Sequence, residues 1–215
     1  MRVVDLSHPI TADMPIYPGD PLPCLDVAST LDGVGYVTRR IAFGSHTGTH
    51  MDAPAHMIGG GKTLDAYPIG HFIGSAAALD LTAYVGPTIE LVALLPHRSV
   101  IVGSDFLLLN TGWYHHWGED RYFADYPVLS VDAALWLAGL GLRGIGVDTR
   151  SVDAAVSAVH AVHHAFLSRE VVIIENLTNL DAVSDADFTF AAFPLRIDRA
   201  DGSPVRAVAM FTDGD

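Results

Sequence analysis

The chain has 215 residues, of which 50% are hydrophobic and 17% charged, so we expect one folded domain over residues 1–215. Its formal net charge of -13 would repel nucleic acid and anionic membrane surfaces. Small-molecule substrates are therefore the expected partners, with no nucleic acid and no membrane.

Neither a membrane span nor a signal peptide is expected. Apolar runs such as residues 171–174 are far shorter than the roughly 20 residues that cross a bilayer. Asp5 interrupts the N-terminal apolar run where a signal peptide would continue. Cys24 is the only cysteine, so no intrachain disulfide can form, and we expect a cytoplasmic protein.

Short apolar runs rich in β-branched and aromatic residues predict that strands dominate the chain. Ser130 is a candidate N-cap for a helix over residues 131–140, and a second helix is predicted over residues 154–168. Turn formers at residues 200–203 predict a hairpin. Hairpins mixed with helical crossovers indicate an α/β fold in the loose sense, or α+β, with a strand-rich mixed sheet. The predicted strands are residues 3–6, 36–44, 76–81, 99–102, 106–109, 143–147, 171–174, 190–199 and 204–211.

A loop rich in proline follows the first predicted strand. It carries five prolines between residues 9 and 23. Because proline fixes φ, this loop is expected to be either a rigid wall or a lid. Tyr17 would be held on it, and we expect this ring to contact the substrate.

The segment from residue 46 to residue 56 contains four side chains suited to metal chemistry: His46, His50, Asp52 and His56. All four have even numbers, and a strand repeats its faces every two residues, so an extended backbone would project them to one side. Gly48 and nearby proline disfavour a continuous helix. We therefore predict a strand end that runs into a loop.

Imidazole nitrogens and carboxylate oxygens are the usual ligands of zinc, manganese or iron where thiolates are absent. His46, His50 and Asp52 supply two imidazoles and one carboxylate within seven residues. A catalytic metal site keeps one position open for water, whose pKa falls to roughly 7 on zinc. His56 would then be free to act as a general base or acid. The competing interpretation is clustering by chance among 11 histidines.

A second cluster consists of His160, His163, His164 and Glu175. A carboxylate after a buried strand needs a partner, and a cation is a strong candidate. Each histidine is alternatively a solvated or capping helix residue, and spacing alone does not choose among them.

Two further features have more than one interpretation. The aromatic segment 113–117 is either a substrate wall, a subunit contact or a core edge, and packing is the more common role for such residues. Asp148 ends a buried strand, where it either orients a ligand or caps a turn.

The chain resembles the cyclase-like metal hydrolases, a family that includes bacterial kynurenine formamidase and isatin hydrolase. The resemblance covers almost the whole chain in order. Its motifs are residues 5–10, Tyr17 to Asp20, His46 to His56, residues 111–113 with 117–118, residues 146–153, and His163 followed by residues 175–180.

This resemblance implies roles for individual residues. His46, His50 and Asp52 would hold one ion, and Asp52 would bridge to a second ion held by His163 and Glu175. His56 matches the family's catalytic histidine, a proton shuttle, which leaves His160 and His164 as supporting or surface residues.

The resemblance also implies a swivelling β/β/α fold, assembled as a homodimer or homotetramer. The implied cofactor is a divalent metal, zinc or manganese, with one or two ions per subunit. Formamidases of this group commonly carry tryptophan at the position of Tyr17, so the chain departs from the family pattern there.

The leading hypothesis is hydrolysis of a carbon–nitrogen amide bond by metal-activated water, with an arylformamide such as N-formylkynurenine as substrate, as in tryptophan catabolism. One alternative is opening of a cyclic amide, imide or lactone by the same residues. A metal-binding protein without catalysis is the alternative from outside the enzymes, and it would not need His56. A purely structural metal is disfavoured because thiolates and closed four-ligand spacing are absent.

Overall fold

The computed structural model describes residues 1–17, 19–184 and 186–212. Its strands are β1 Arg2–Asp5, β2 Cys24–Ser29, β3 Thr38–Ala42, β4 His50–Asp52, β5 Ile73–Asp80, β6 Thr88–Ile89, β7 Phe106–Asn110, β8 Val128–Leu129, β9 Gly144–Val147, β10 Val172–Glu175, β11 Phe188–Pro194 and β12 Gly202–Phe211. Its α-helices are α1 Leu31–Val34, α2 Leu91–Leu94, α3 Arg98–Val102, α4 Val131–Ala138 and α5 Ala161–Leu167. Its 3-10 helices are Pro54–His56, Leu64–Ala66, Ile69–Phe72, Leu95–His97, Trp113–His116, Asp120–Phe123 and Leu180–Ala182.

The main sheet closes on itself like a barrel. Its strand order is β1-β12-β11-β5-β7-β9-β10-β4, and β4 also pairs with β12. Strands β5, β7, β9 and β10 run parallel, whereas β4, β11 and β12 make antiparallel pairs. The prediction of an α/β-type fold with a strand-rich mixed sheet is confirmed. The single-domain organisation stays a prediction.

Two apolar cores lie on the two faces of this sheet. Strand β7 is buried along its whole length, and its side chains alternate as strand geometry requires. Phe106 and Leu108 join the core inside the ring. Leu107 and Leu109 join the core that α4 and α5 cover. Burial on both faces explains why this segment reads as a continuous apolar run.

Most predicted elements lie where the sequence placed them, within a few residues at their ends. The predicted cap of α4 is confirmed, since the Ser130 hydroxyl accepts a hydrogen bond from the Ala133 N–H. The hairpin between β11 and β12 is also confirmed. Local chemistry is strong enough to fix these features.

Two predicted elements are wrong. The predicted strand 99–102 lies within helix α3; only Ile101 packs into the core there, and tertiary context overrides the β propensity. The predicted helix 154–168 begins only at Ala161. His160 has a left-handed φ of 44, and the Asp153 carboxylate accepts the N–H groups of Val162 and His163. That carboxylate caps the helix and fixes where it starts.

A hairpin of β2 and β3 is a feature that the sequence predicted only in part. Both strands expose apolar side chains, and all five residues of β3 are exposed. The two strands contact mainly each other. In their register, Val27 lies opposite Arg39 and Leu25 lies opposite Ile41.

Among the described residues, no helix combines the length and apolar character needed to cross a membrane.

Candidate metal centre

Strand β4 places the residue 46–56 segment at the centre of the site. It lies between β10 and β12, with His50 opposite Glu175 and Asp52 opposite Gly202. A strand end is confirmed for residues 50–52, after which the chain turns into the 3-10 helix Pro54–His56. The single extended face predicted for all four side chains is wrong, because only His50 and Asp52 lie on the strand. Gly48 precedes the strand with a φ of 65, a conformation that glycine adopts at little cost. The turn before β4 lets His46 fold back towards Asp52.

The Asp52 carboxylate lies at the centre of three imidazoles. Its Oδ1 atom is 2.7 Å from His46 Nδ1 and 3.2 Å from His50 Nε2. Its Oδ2 atom is 3.6 Å from His163 Nε2. Asp52 is 1% exposed. A carboxylate so deeply buried needs cationic partners, and each oxygen faces a different part of the centre.

Glu175 completes the centre at the end of β10. Its Oε1 atom is 3.3 Å from His163 Nε2, and its Oε2 atom is 3.5 Å from His50 Nε2. Ligand atoms of His46, His50 and Asp52 form one compact group, and those of Asp52, His163 and Glu175 form another. The two groups share Asp52.

Each of the three histidines has an acceptor for the ring nitrogen that faces away from Asp52. His46 Nε2 is 3.0 Å from Asp201 Oδ2, and His163 Nδ1 is 2.6 Å from Asp153 Oδ2. His50 Nδ1 is 2.8 Å from the Gly48 carbonyl oxygen. These acceptors orient the rings and favour the tautomers that leave a lone pair directed at the centre.

Carboxylates control the charge of these imidazoles. Burial opposes a proton on His46, but hydrogen bonds to Asp52 and Asp201 outweigh it and raise its pKa to about 9. Burial also opposes a charge on His163, whereas carboxylate contacts, led by Asp153, raise its pKa to about 12. For Asp52, burial alone would raise the pKa, but the surrounding imidazoles hold it well below its usual value.

The donor set fits a divalent cation. Buried carboxylates and histidines converge with their ligand atoms within 4.8 Å of one another in each group. Nitrogen and oxygen donors without thiolate suit zinc or manganese. An ion would compensate the buried charges of Asp52 and Glu175, which the protons on the imidazoles otherwise balance.

His56 stands beside the candidate ligands. Its ring centroid is 4.0 Å from that of His46 and 6.1 Å from that of His163. Its Nδ1 atom is 3.8 Å from Asp201 Oδ2. Burial is the main cause that lowers the pKa of His56 below its usual value. The ring is therefore neutral near pH 7 and can accept a proton, as a general base requires.

The centre opens into a cavity of about 590 Å³. Tyr17 lies on its wall, half-exposed, with the Arg150 guanidinium 4.3 Å from its ring centroid. Trp117 and Phe123 add aromatic surface. Tyr17 thus lies where a substrate would contact it, and its substrate-binding role stays a prediction.

The three histidines of the second cluster have different surroundings. His163 is buried against Asp52 and Glu175, while His160 and His164 are exposed. His160 lines the cavity, with its ring centroid 6.0 Å from that of His163.

Asp148 and the aromatic segment 113–117 have largely structural roles. The Asp148 carboxylate accepts hydrogen bonds from the N–H groups of Thr111 and Trp113, so it fixes a turn. Tyr114 is buried, and Trp117 is the residue of this segment that reaches the cavity.

Sequence reasoning gave no role to three residues that shape the centre. Asp201 was predicted only as part of a turn, and Asp153 only as part of a family motif. Asn176 follows Glu175 with a φ of 57, and its Nδ2 donates to the Gly48 carbonyl oxygen. The left-handed φ, for which asparagine is favoured, is the one local signal that fits this position.

The amino-acid sequence matches a known protein family. Residues 4–154 match the family model described as "Putative cyclase". The chain belongs to this cyclase family. A kynurenine formamidase of Bordetella avium strain 197N is 35% identical over 217 residues, covering 96% of this chain and 97% of that protein. The resemblance found in the sequence is therefore confirmed.

Solved structures share the fold. A predicted metal-dependent hydrolase from Bacillus stearothermophilus is 30% identical, with a TM-score of 0.80 and coverage of 97% of each chain. An isatin hydrolase bound to the product analogue thioisatinate has a TM-score of 0.87 at 22% identity, covering 98% of this chain and 92% of that one. That second likeness concerns the fold alone.

Gly202→Ala should weaken metal binding about 10-fold or more, the effect typical of a disturbed ligand histidine. A Cβ atom at Gly202 would lie 2.5 Å from His46 Cε1, so the ring would have to move. Titration calorimetry with Zn²⁺ or Mn²⁺ measures the change. Gly70→Ala is the matched control, because a Cβ there meets nothing within 4 Å. Equal affinities for the two variants would contradict His46 as a ligand.

Metal binding at pH 7 should release at least two protons, since burial opposes a charge on the third ligand, His50, but contacts with Asp52 and Glu175 raise its pKa as well. With pKa values of about 9 and about 12, His46 and His163 both carry an extra proton in the ion-free protein, and a ligand nitrogen must lose it. Affinity should therefore rise between pH 7 and pH 9, as His46 loses its proton before the ion arrives. Calorimetry in buffers of different ionisation enthalpy counts the protons. Binding heats that do not depend on the buffer would show that no proton is released, which would contradict the expected protonation of His46 and His163.

Proposed function

We propose that the protein is a metal-dependent hydrolase that cleaves the carbon–nitrogen bond of an arylformamide such as N-formylkynurenine. The observation that carries this proposal is the position of His56 beside two ligand groups that share Asp52, at the base of an aromatic cavity. The kynurenine formamidase relative, similar over almost its full length, supports the same reaction.

His46, His50 and Asp52 would hold one ion, and Asp52, His163 and Glu175 would hold a second. When bound, a divalent ion lowers the pKa of a coordinated water and polarises the carbonyl of a substrate. Zinc and manganese both suit these donors, and the two groups of ligand atoms support two ions per subunit.

His56 would move the proton that amide cleavage requires. Its Nδ1 atom faces Asp201, which leaves Nε2 to take a proton from the attacking water. The same atom then delivers that proton to the departing nitrogen, so the amine leaves in neutral form. Tyr17 would pack against the aromatic ring of the substrate at the cavity wall.

His56→Ala should reduce kcat for N-formylkynurenine by about 100-fold or more, since a positioned proton-transfer group contributes that much. Metal content should stay near that of the wild type, because His56 is not needed as a ligand. Parallel assays with N-formylkynurenine and isatin on metal-loaded protein, with elemental analysis of each variant, measure both effects. His164→Ala, which changes an exposed histidine on α5, is the control.

Three outcomes of these assays would contradict the proposal, and each points to a different alternative. Turnover of isatin but not of N-formylkynurenine would replace the arylformamide with a cyclic amide. Turnover of neither substrate by wild-type protein with bound metal would favour the metal-binding protein without catalysis. Full activity of His56→Ala would refute the proton shuttle.

We also propose that the protein forms a cytoplasmic homodimer or homotetramer. The single cysteine supports the location. The β2–β3 hairpin supports the assembly, because Val27 and Ile41 lie diagonally on one face and are 52% and 58% exposed. An apolar hairpin that packs mainly against itself is typical of a subunit contact.

The double variant Val27→Asp/Ile41→Asp should shift the protein to monomers, because charges would be buried against the partner's hairpin. Sedimentation velocity measures the change. Val85→Asp, at a loop residue 95% exposed, is the control and should leave the assembly unchanged. A wild-type monomer, or a double variant that still assembles, would refute this role of the hairpin.

A further inference from the structure

The cavity wall contains one cationic side chain that the proposed reaction does not use. Arg150 is the only lysine or arginine among the described residues that line the cavity. It lies on the loop after β9, three residues before Asp153, whose carboxylate holds His163. A positive charge at this position faces the same space as the candidate metal centre.

Two tyrosines hold the guanidinium in place. Arg150 Nε donates to the Tyr126 hydroxyl oxygen at 3.1 Å, and that hydroxyl donates in turn to the Asp153 carbonyl oxygen at 2.7 Å. The ring of Tyr17 packs against the guanidinium, with 4.3 Å between the ring centroid and Arg150 Cζ. Tyr126 is buried, so the anchor is rigid.

This anchoring leaves the two terminal nitrogens of Arg150 for a ligand. Within the part of the chain that the structure describes, neither nitrogen donates a hydrogen bond, and no carboxylate pairs with Arg150. Arg143 and Arg206, by contrast, pair with Asp105 and Asp5. Arg150 differs from the other arginines of the described chain in that it lines the cavity.

We propose that Arg150 binds a carboxylate of the substrate, so that the substrate is an arylformamide that carries a carboxylate group. The planar fork of two N–H groups matches a carboxylate in a bidentate pair. The aromatic ring of the same molecule would lie against Tyr17, directly beside the guanidinium. This inference rests on the proposed amide hydrolysis and adds a specificity-determining residue to it.

The pairing would select between the candidate substrates. N-formylkynurenine carries a carboxylate on its amino-acid side chain, away from the formamide, whereas isatin has no carboxylate. Because the α-ammonium group makes N-formylkynurenine a zwitterion without net charge at pH 7, a cation placed next to the carboxylate is needed to recognise it. Arg150 is the side chain placed to do this.

Arg150→Gln tests the inference through ligand binding. The dissociation constants of kynurenine and kynurenine methyl ester are measured by calorimetry with metal-loaded and metal-free protein. Arg98→Gln is the control, because it removes the same formal charge from an exposed position on α3. Arg150→Lys keeps the charge but loses the fork. Thermal unfolding of each variant verifies that it is folded.

Arg150→Gln should weaken binding of kynurenine by about 10- to 100-fold, the range for a lost hydrogen bond to a charged group. Binding of the ester should change little, Arg98→Gln should match the wild type, and Arg150→Lys should fall between. The weaker binding of kynurenine should persist in metal-free protein. No ion can bind the carboxylate there, so the effect would belong to Arg150. Equal losses for acid and ester, or an unchanged preference for the acid in Arg150→Gln, would overturn the inference.

Kinetics distinguish this inference from the proposed function. Arg150→Gln should lower kcat/KM for N-formylkynurenine by the same factor and leave that for formanilide, a neutral arylformamide, unchanged. Failure of the wild type to hydrolyse either compound would refute the proposed hydrolysis of arylformamides, while the binding measurements would still decide the role of Arg150.

Discussion

The structure of the centre depends on one buried carboxylate, that of Asp52. Three imidazoles surround it at 2.7 to 3.6 Å, and its two oxygens face different ligand groups. Such a charge is stable in the protein interior only with cations or protons beside it. All three candidate ligand histidines contact this carboxylate, and Glu175 contacts two of them, so Asp52 lies at the centre of the site.

The closed sheet produces that position. Strand β4 is only three residues long, yet it bridges β10 and β12 and thereby closes the ring. Because it pairs on both sides, its register is fixed twice, and a one-residue slip would reverse every side chain. The same pairing brings His50 beside Glu175 and brings the hairpin that carries Asp201 beside His46. The strand that closes the sheet is thus also the strand that builds the centre.

The surroundings of the centre divide into a polar base and an aromatic wall. Carboxylates and backbone carbonyl groups accept from the outer nitrogens of the histidines and hold each ring in one orientation. Tyr17, Trp117 and Phe123 line the cavity above. The base suits an ion and a proton transfer, while the wall suits an aromatic substrate. Among the described residues of that wall, Arg150 is the only lysine or arginine, and its proposed pairing would tie recognition of a substrate carboxylate to this side of the site.

The sequence by itself determined the local features: the ligand types from His46 to His56, the Ser130 cap, most strands and the family. These depend on residue type and on spacings of a few positions, for which backbone geometry is known in advance. The tertiary structure decided the start of α5 and, among three histidines, the burial of His163. It also decided the contacts of Asp153 and Asp201 with the ligand histidines and the position of Arg150 on the cavity wall. Those features depend on contacts between different segments, some more than a hundred positions apart, and sequence separation contains no information about such distances.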